Sequence, residues 1–428
     1  MRNLLLLLLL TSVLATNIGE FLVLNDVHYL WKYKIGSSEA KACLSGSGNA
    51  GKYGSHECCT PPALLNSALA HMKKVSPNPD WVAFLGDVAP QASALKHLDW
   101  SKNLLRSILR NFTTILQDNF KSTPVIPLLG NHDIKPSHQF SFLTQYIYEY
   151  TFEMWHQWIP KDQHDNYLHG GFFRKDLNDH LTILVLNTNF YFTMNAETVP
   201  NPDPRKAFKW IRSEMQRLVD TGRRALVYVH VPPGPLETFA ATLPNMQPQF
   251  NSKFLDSLAF GLENDRIIAM FAGHEHSSAL RLLWDYSNDK VSAPLFISPA
   301  LVPVGDGPTE ALSYPGNLPA FRKYVYDQDS GEVLDYYQYY LNITEANIKG
   351  KDEWKLDYKA TEFFKVKDLS ASSMLKAYNN LANDKAMLLN YIKQNTVHVE
   401  FDITPKCLVR HLCAIRHVSM VEFYKCYI

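Results

Sequence analysis

Seven residues at five places along the chain carry side chains suited to holding cations: Asp26 and His28, Asp87, Asn131, His230, and His274 and His276. In Asp26-Val27-His28 and His274-Glu275-His276 the ligand-type residues stand at i and i+2, so in extended backbone they share a face and can grip one ion. Asp87 follows a glycine, and its two carboxylate oxygens can bridge a pair of cations. Leu129-Gly130-Asn131-His132-Asp133 is the most specific stretch, because it sets an amide oxygen, an imidazole and a carboxylate side by side. Asn131 is expected to be a ligand, His132 to meet the substrate and Asp133 to orient His132. His230 leaves through the rigid turn Val231-Pro232-Pro233-Gly234. Each motif alone is weak, since solvated strand ends often carry Asp or His. Five in order argue for one site: two ions about 3.5 to 4 Å apart, bridged by Asp87, as used for in-line displacement at phosphorus. Oxygen donors mixed with imidazoles favour zinc, two Zn2+ in all.

Such a site needs elements that bring the five places together. Apolar, β-branched runs at 21–24, 81–85, 125–129, 181–186, 225–229, 267–271 and 295–297 predict strands. Helical patterns at 62–75, 98–120, 204–218 and 252–262 lie between several of them, which gives an α/β sandwich. The five motifs follow the runs directly, and in α/β sheets ligands gather beyond the carboxyl ends of strands. Residues 321–326 and 333–341 predict a hairpin around Asp329-Ser330-Gly331. From Asp368 the pattern turns helical, with one helix expected over 373–394. A catalytic domain over 16–367 and a small helical C-terminal subdomain over 368–428 follow.

Lysine plus arginine number 42 and aspartate plus glutamate 42, so no global field draws the chain onto nucleic acid; a small-molecule substrate fits better. Arg2, the leucine run 4–10 and Ala15 form a signal peptide over 1–15, too short in its apolar part to span a bilayer. No second apolar segment offers a transmembrane anchor, and the protein is expected to be secreted, extracellular or lysosomal, and monomeric. Export would make the sequons at Asn111 and Asn342 usable for glycosylation and the six cysteines available for disulfides. The cysteines form two odd clusters, Cys43, Cys58, Cys59 and Cys407, Cys413, Cys426. The aromatic stretch 140–158 is compatible with peripheral lipid contact; a helical insertion packing its rings inward is the preferred reading.

The motifs D-x-H, G-D, G-N-H-D, H-V-P-P-G and G-H-x-H resemble those of calcineurin-like metallophosphoesterases. Tyr339-Tyr340-Leu341-Asn342-Ile343-Thr344-Glu345-Ala346-Asn347 and Trp354-Lys355-Leu356 are similar to the acid sphingomyelinase-like phosphodiesterase branch. The resemblance implies a four-layer αββα metallophosphoesterase sandwich with a small helical C-terminal subdomain. By motif position it implies Asp26, His28, Asp87 and His276 around one zinc and Asp87, Asn131, His230 and His274 around the other. It also implies disulfides Cys43 to Cys59 and Cys413 to Cys426, with Cys58 left over and Cys407 lacking a partner because Ile403 stands where a cysteine is usual. Acid sphingomyelinase carries an N-terminal saposin module that presents lipid, and here the catalytic segment is expected to follow the leader directly. The family usually has a proton-donating histidine four residues after the bridging aspartate, where this chain has Gln91, which cannot deliver a proton. His132 would then serve alone, or water would, and His132 is the catalytic candidate.

The expected activity is hydrolysis of phosphodiester or phosphoanhydride bonds, of nucleotides by the branch resemblance, through hydroxide attack supported by both metals. Two alternatives stand beside it: sphingomyelin hydrolysis to phosphocholine and ceramide, and a secreted binding protein of little turnover.

Overall fold

The computed structural model describes residues 17–237, 243–285, 287–303 and 316–428. The expected leader over 1–15 lies outside them.

Twelve strands form two six-stranded sheets among the described residues. In chain order they are β1 (Ile18–Leu24), β2 (Trp81–Phe84), β3 (Val125–Pro127), β4 (Phe173–Asp176), β5 (Leu181–Val185), β6 (Arg224–Tyr228), β7 (Ile267–Ala272), β8 (Ala279–Asp285), β9 (Lys290–Ile297), β10 (Ala320–Asp327), β11 (Val333–Tyr340) and β12 (Lys355–Lys359). The first sheet runs β12-β11-β10-β1-β2-β3 and the second β4-β5-β6-β7-β9-β8. β1, β2 and β3 are mutually parallel, as are β5, β6, β7 and β9, while β10, β11 and β12 pair antiparallel beside β1. Strands β1, β2, β6 and β7 are buried on both sides, which is why their sequences read as continuous apolar runs.

The sheets face each other across aromatic side chains. Phe21 meets Phe271 edge-on at 5.4 Å, Phe271 meets Tyr324 at 5.1 Å, and Trp81 Nε1 donates to the Tyr228 hydroxyl at 3.0 Å. Helices cover the outer faces. Lys102–Asn119 shows how: Leu105, Ile108, Leu109, Phe112 and Leu116 recur on one face and are buried, and Ser101 Oγ caps the Leu104 N–H. Each such side chain contributes about 1.5 to 3 kcal/mol by burial. On the second sheet lie Ala207–Thr221 and Pro248–Glu263.

Helices Ala371–Asn383, Lys385–Asn395, Pro405–Arg416 and Met420–Tyr427 follow. They are seated on β8, where Tyr391 Oη accepts the Leu280 N–H at 3.0 Å and Trp284 Nε1 donates to the Arg416 carbonyl at 2.7 Å. The single helix expected over 373–394 is two. Asp384 leaves helical geometry and turns its carboxylate onto the Met387 N–H, ending one helix and starting the next. The helix expected over 98–120 begins only at Lys102, after a separate turn at Ala92–Leu95. In 140–158, Phe140, Tyr148, Trp155 and Trp158 are buried and Phe142 stands exposed, so most of the rings pack inward.

One disulfide joins Cys413 to Cys426; the other joins Cys43 to Cys58, not to Cys59. Cys58 turns toward Cys43 and Ala50, whereas the next side chain turns the other way, among Leu30, Ala42, Leu44 and Ala94. There Cys59 Sγ accepts the Gln91 N–H at 3.4 Å. Cys407 lies buried outside both bonds.

Candidate metal centre

All five motifs leave the carboxyl ends of parallel strands: β1 leads to Asp26, β2 to Asp87, β3 to Asn131, β6 to His230 and β7 to His274. The two sheets open these ends at one edge of the sandwich, and the seven expected ligand residues come together there. Asp26, His28 and His276 offer ligand atoms within 4.8 Å of one another, as do Asp26, Asp87 and His230, and also His28, Asp87 and His132.

The backbone is bent to achieve this. Asp26, His28, Asp87, His274 and His276 all have left-handed φ, at 42°, 41°, 56°, 71° and 55°. Each costs roughly 1–2 kcal/mol for a side chain other than glycine, so the surroundings must hold these residues in place. Gly86, at φ 99°, lets its loop pass within van der Waals contact of the next one; a Cβ there would lie 2.6 Å from the Gly130 nitrogen.

Main-chain carbonyls aim the imidazoles. His28 Nδ1 donates to the Ala89 carbonyl at 2.7 Å, and His230 Nδ1 donates to the Leu85 carbonyl at 2.7 Å. A carbonyl only accepts, so in both rings Nδ1 carries a proton and Nε2 faces the site. The Nε2 atoms of His28 and His276 are 3.2 Å apart. His230 Nε2 lies 2.7 Å from Asn131 Oδ1 and 3.3 Å from Asp87 Oδ2, and His274 Nδ1 lies 2.8 Å from the same Asn131 oxygen. Asp87 Oδ2 is also 3.6 Å from His28 Nε2, between the two imidazole groups. Asp26 receives the His274 N–H at 2.9 Å and lies 3.7 Å from His276 Nε2. Imidazole nitrogens, carboxylate oxygens and an amide oxygen converging at such distances form a donor set that fits divalent cations.

Electrostatics show the same demand. Burial would raise the Asp87 carboxyl, yet the imidazoles around it, His230 foremost, hold it well below its ordinary range. Burial drives Asp26 well above its own, against the pull of His230 and with the push of the Asp87 charge. Burial opposes charge on His230 as well, but Asp87 outweighs it and lifts the imidazole to about 9. Two buried carboxylates that cannot both be comfortably ionised are a place for cations.

His132 donates its main-chain N–H to Asp87 Oδ1 at 2.8 Å, and its ring meets His28 edge-on at 4.9 Å. Asp133 ties neighbouring loops together. Its Oδ1 accepts from the Val88 and Ala89 N–H groups and its Oδ2 from those of Asp87 and Gly130, at 2.8 to 2.9 Å. It thereby ties the Asp87 loop to the Asn131 loop. Gln91 is buried at the start of the short helix after the Asp87 loop. His138 had no motif to mark it; Asn131 Nδ2 donates to its Nδ1 at 2.8 Å, which fixes the amide with Oδ1 toward the site. Phe192 packs on both His138 and His274, at 5.4 and 4.6 Å.

The chain matches the family described as calcineurin-like phosphoesterase over residues 19–278 and the one described as acid sphingomyelin phosphodiesterase C-terminal region over residues 290–428. It belongs to the calcineurin-like phosphoesterases and is a metal-dependent phosphodiester hydrolase. Within them it is an acid sphingomyelinase-like phosphodiesterase, on the evidence of its relatives. It is 30% identical to Sphingomyelinase phosphodiesterase C of Dictyostelium discoideum, over 95% of this chain and 92% of that protein. It is 30% identical to Acid sphingomyelinase-like phosphodiesterase 3b of Homo sapiens, over 95% and 90%. With Cyclic GMP-AMP phosphodiesterase SMPDL3A of Homo sapiens it shares 29% identity over 96% and 90%.

Proposed function

We propose that this protein is a secreted, zinc-dependent phosphodiesterase of nucleotides. The observation that carries the metal reading is the inward-turned Nε2 pair of His28 and His276 beside the Asp87 carboxylate. Asp26, His28, Asp87 and His276 would hold one zinc ion and Asp87, Asn131, His230 and His274 the other. When bound, such a pair supplies Lewis-acid activation of water and charge neutralisation at phosphorus. The chain's own part is to fix these donors through carbonyl-aimed imidazoles and the Asp133 tie, and to present His132 to the phosphate and the leaving oxygen. Nucleotide substrates are supported by the relatives named for cyclic GMP-AMP, which align along 96% of the chain. Secretion is supported by the two disulfides and by the exposure of the sequon residue Asn111 on the helix Lys102–Asn119. Asn342, the second sequon, caps the helix Ile343–Lys349. No helix among the described residues is long and apolar enough to cross a membrane.

Purified protein incubated with zinc and cyclic dinucleotides, nucleoside triphosphates and choline-linked nucleotides should yield mononucleotide products by mass spectrometry. Nucleotides left intact, with phosphocholine released from sphingomyelin vesicles, would transfer the assignment to the sphingomyelinase reading that other relatives' names carry.

A further inference from the structure

His274 and His276 lie on the six-residue link between β7 and β8, and both are left-handed. Something must hold that link, and the residue between them shows what. Glu275 turns into the interior, where it is buried, and accepts from Asn245 Nδ2 at 2.7 Å. Arg281, fully buried on β8, sets Nη2 3.2 Å from both Glu275 oxygens and donates from Nη1 to Glu237 at 2.7 Å. Glu237 in turn accepts from Asn395 Nδ2 at 2.9 Å. The same Asn395, at the end of the helix Lys385–Asn395, closes back on the link: its Nδ2 donates to the Ser278 carbonyl at 2.6 Å, and its carbonyl accepts the Ser278 N–H at 3.0 Å. From the other side Arg322 Nη2 donates to Ser278 Oγ at 2.7 Å.

We propose that Asn395 and the buried chain Glu275–Arg281–Glu237 are positioning residues for His274 and His276, so that the C-terminal helices form part of the metal centre. The proposal rests on the reading of those histidines as ligands. Each member answers a specific need. Arg281 neutralises the carboxylate that the left-handed link forces inward. Asn395 pairs with both main-chain groups of Ser278 at once, which fixes the orientation of the peptide two residues beyond His276. Partners that orient ligands in this way affect metal affinity by about 10- to 100-fold when removed.

Zinc affinity of the full chain, measured by competition with a chromophoric chelator, tests it. The unfolding midpoint of each metal-stripped protein is recorded alongside. Asn395→Ala should weaken binding of both zinc ions, since His274 and His276 serve different ones, about 10- to 100-fold and alter the visible spectrum of the cobalt-loaded protein. Trp81→Phe, which loses a hydrogen bond in the inter-sheet core, should lower the midpoint with unchanged affinity. If Asn395→Ala fails to fold, Glu275→Gln, which keeps the shape and removes the charge facing Arg281, carries the same expectation. Two zinc ions bound with wild-type affinity and an unchanged cobalt spectrum in a folded variant would overturn the proposal. A wild-type chain that takes up no metal would instead overturn the ligand reading beneath it.

Discussion

His28 and His276, 248 residues apart in sequence, bring their Nε2 atoms to 3.2 Å, while the other nitrogen of His28 is engaged by the Ala89 carbonyl. Together with Asp26 the pair could hold a metal ion. Stripping the protein with chelator should abolish hydrolysis, and zinc should restore it. His28→Ala should lower the bound zinc from two ions to one per chain, by elemental analysis. Losing several kcal/mol of charge stabilisation corresponds to a fall of about 10³-fold in kcat/KM.

Gly130 sits against the Asp87 carboxylate, and a Cβ there would overlap Asp87 Oδ1. Gly130→Ala should therefore displace Asp87 and cost about tenfold or more in metal affinity. Chelator competition reads this directly, and an unchanged affinity would mean that the Asp87 loop yields freely.

Gln91 stands where the family resemblance leads one to expect a proton-donating histidine. Gln91→His should raise kcat on diesters with poor leaving groups by about tenfold or more, and leave nitrophenyl esters nearly unaffected because they need no proton. A flat response across both would show that His132 suffices.

His411 is fully buried in the helix Pro405–Arg416, donating to the Cys407 carbonyl, and burial pulls its pKa down to about 3. The unfolded imidazole titrates near 6.5, so below that pH the unfolded chain takes up a proton that the folded chain refuses. Stability is then lost as pH falls from 6.5 toward 3, at about 1.4 kcal/mol per unit. Urea unfolding at pH 7.5 and pH 5 should show about 2 kcal/mol of this loss in the native protein, removed in His411→Phe.

The sequence by itself determined the class of this protein. Ligand-type residues placed directly after apolar runs can be recognised without coordinates, because a strand must end where its apolar pattern ends, and parallel strands deliver their carboxyl ends to one edge. Even the helix over 62–75 and the late hairpin follow from local periodicity and a turn. The partnerships between distant segments were decided by the tertiary structure. Asp133 looks like a neighbour for His132, yet its four hydrogen bonds go to backbone N–H groups, three of them more than 40 residues away. Cys58 and Cys59 are equivalent by spacing, and only the opposite directions of adjacent side chains select Cys58 for Cys43. Asn395 carries no motif at all; it reaches the link between β7 and β8 because the C-terminal helices are seated on β8. Sequence periodicity reports what one segment needs to bury, whereas satisfying a buried polar group depends on which other segment arrives beside it.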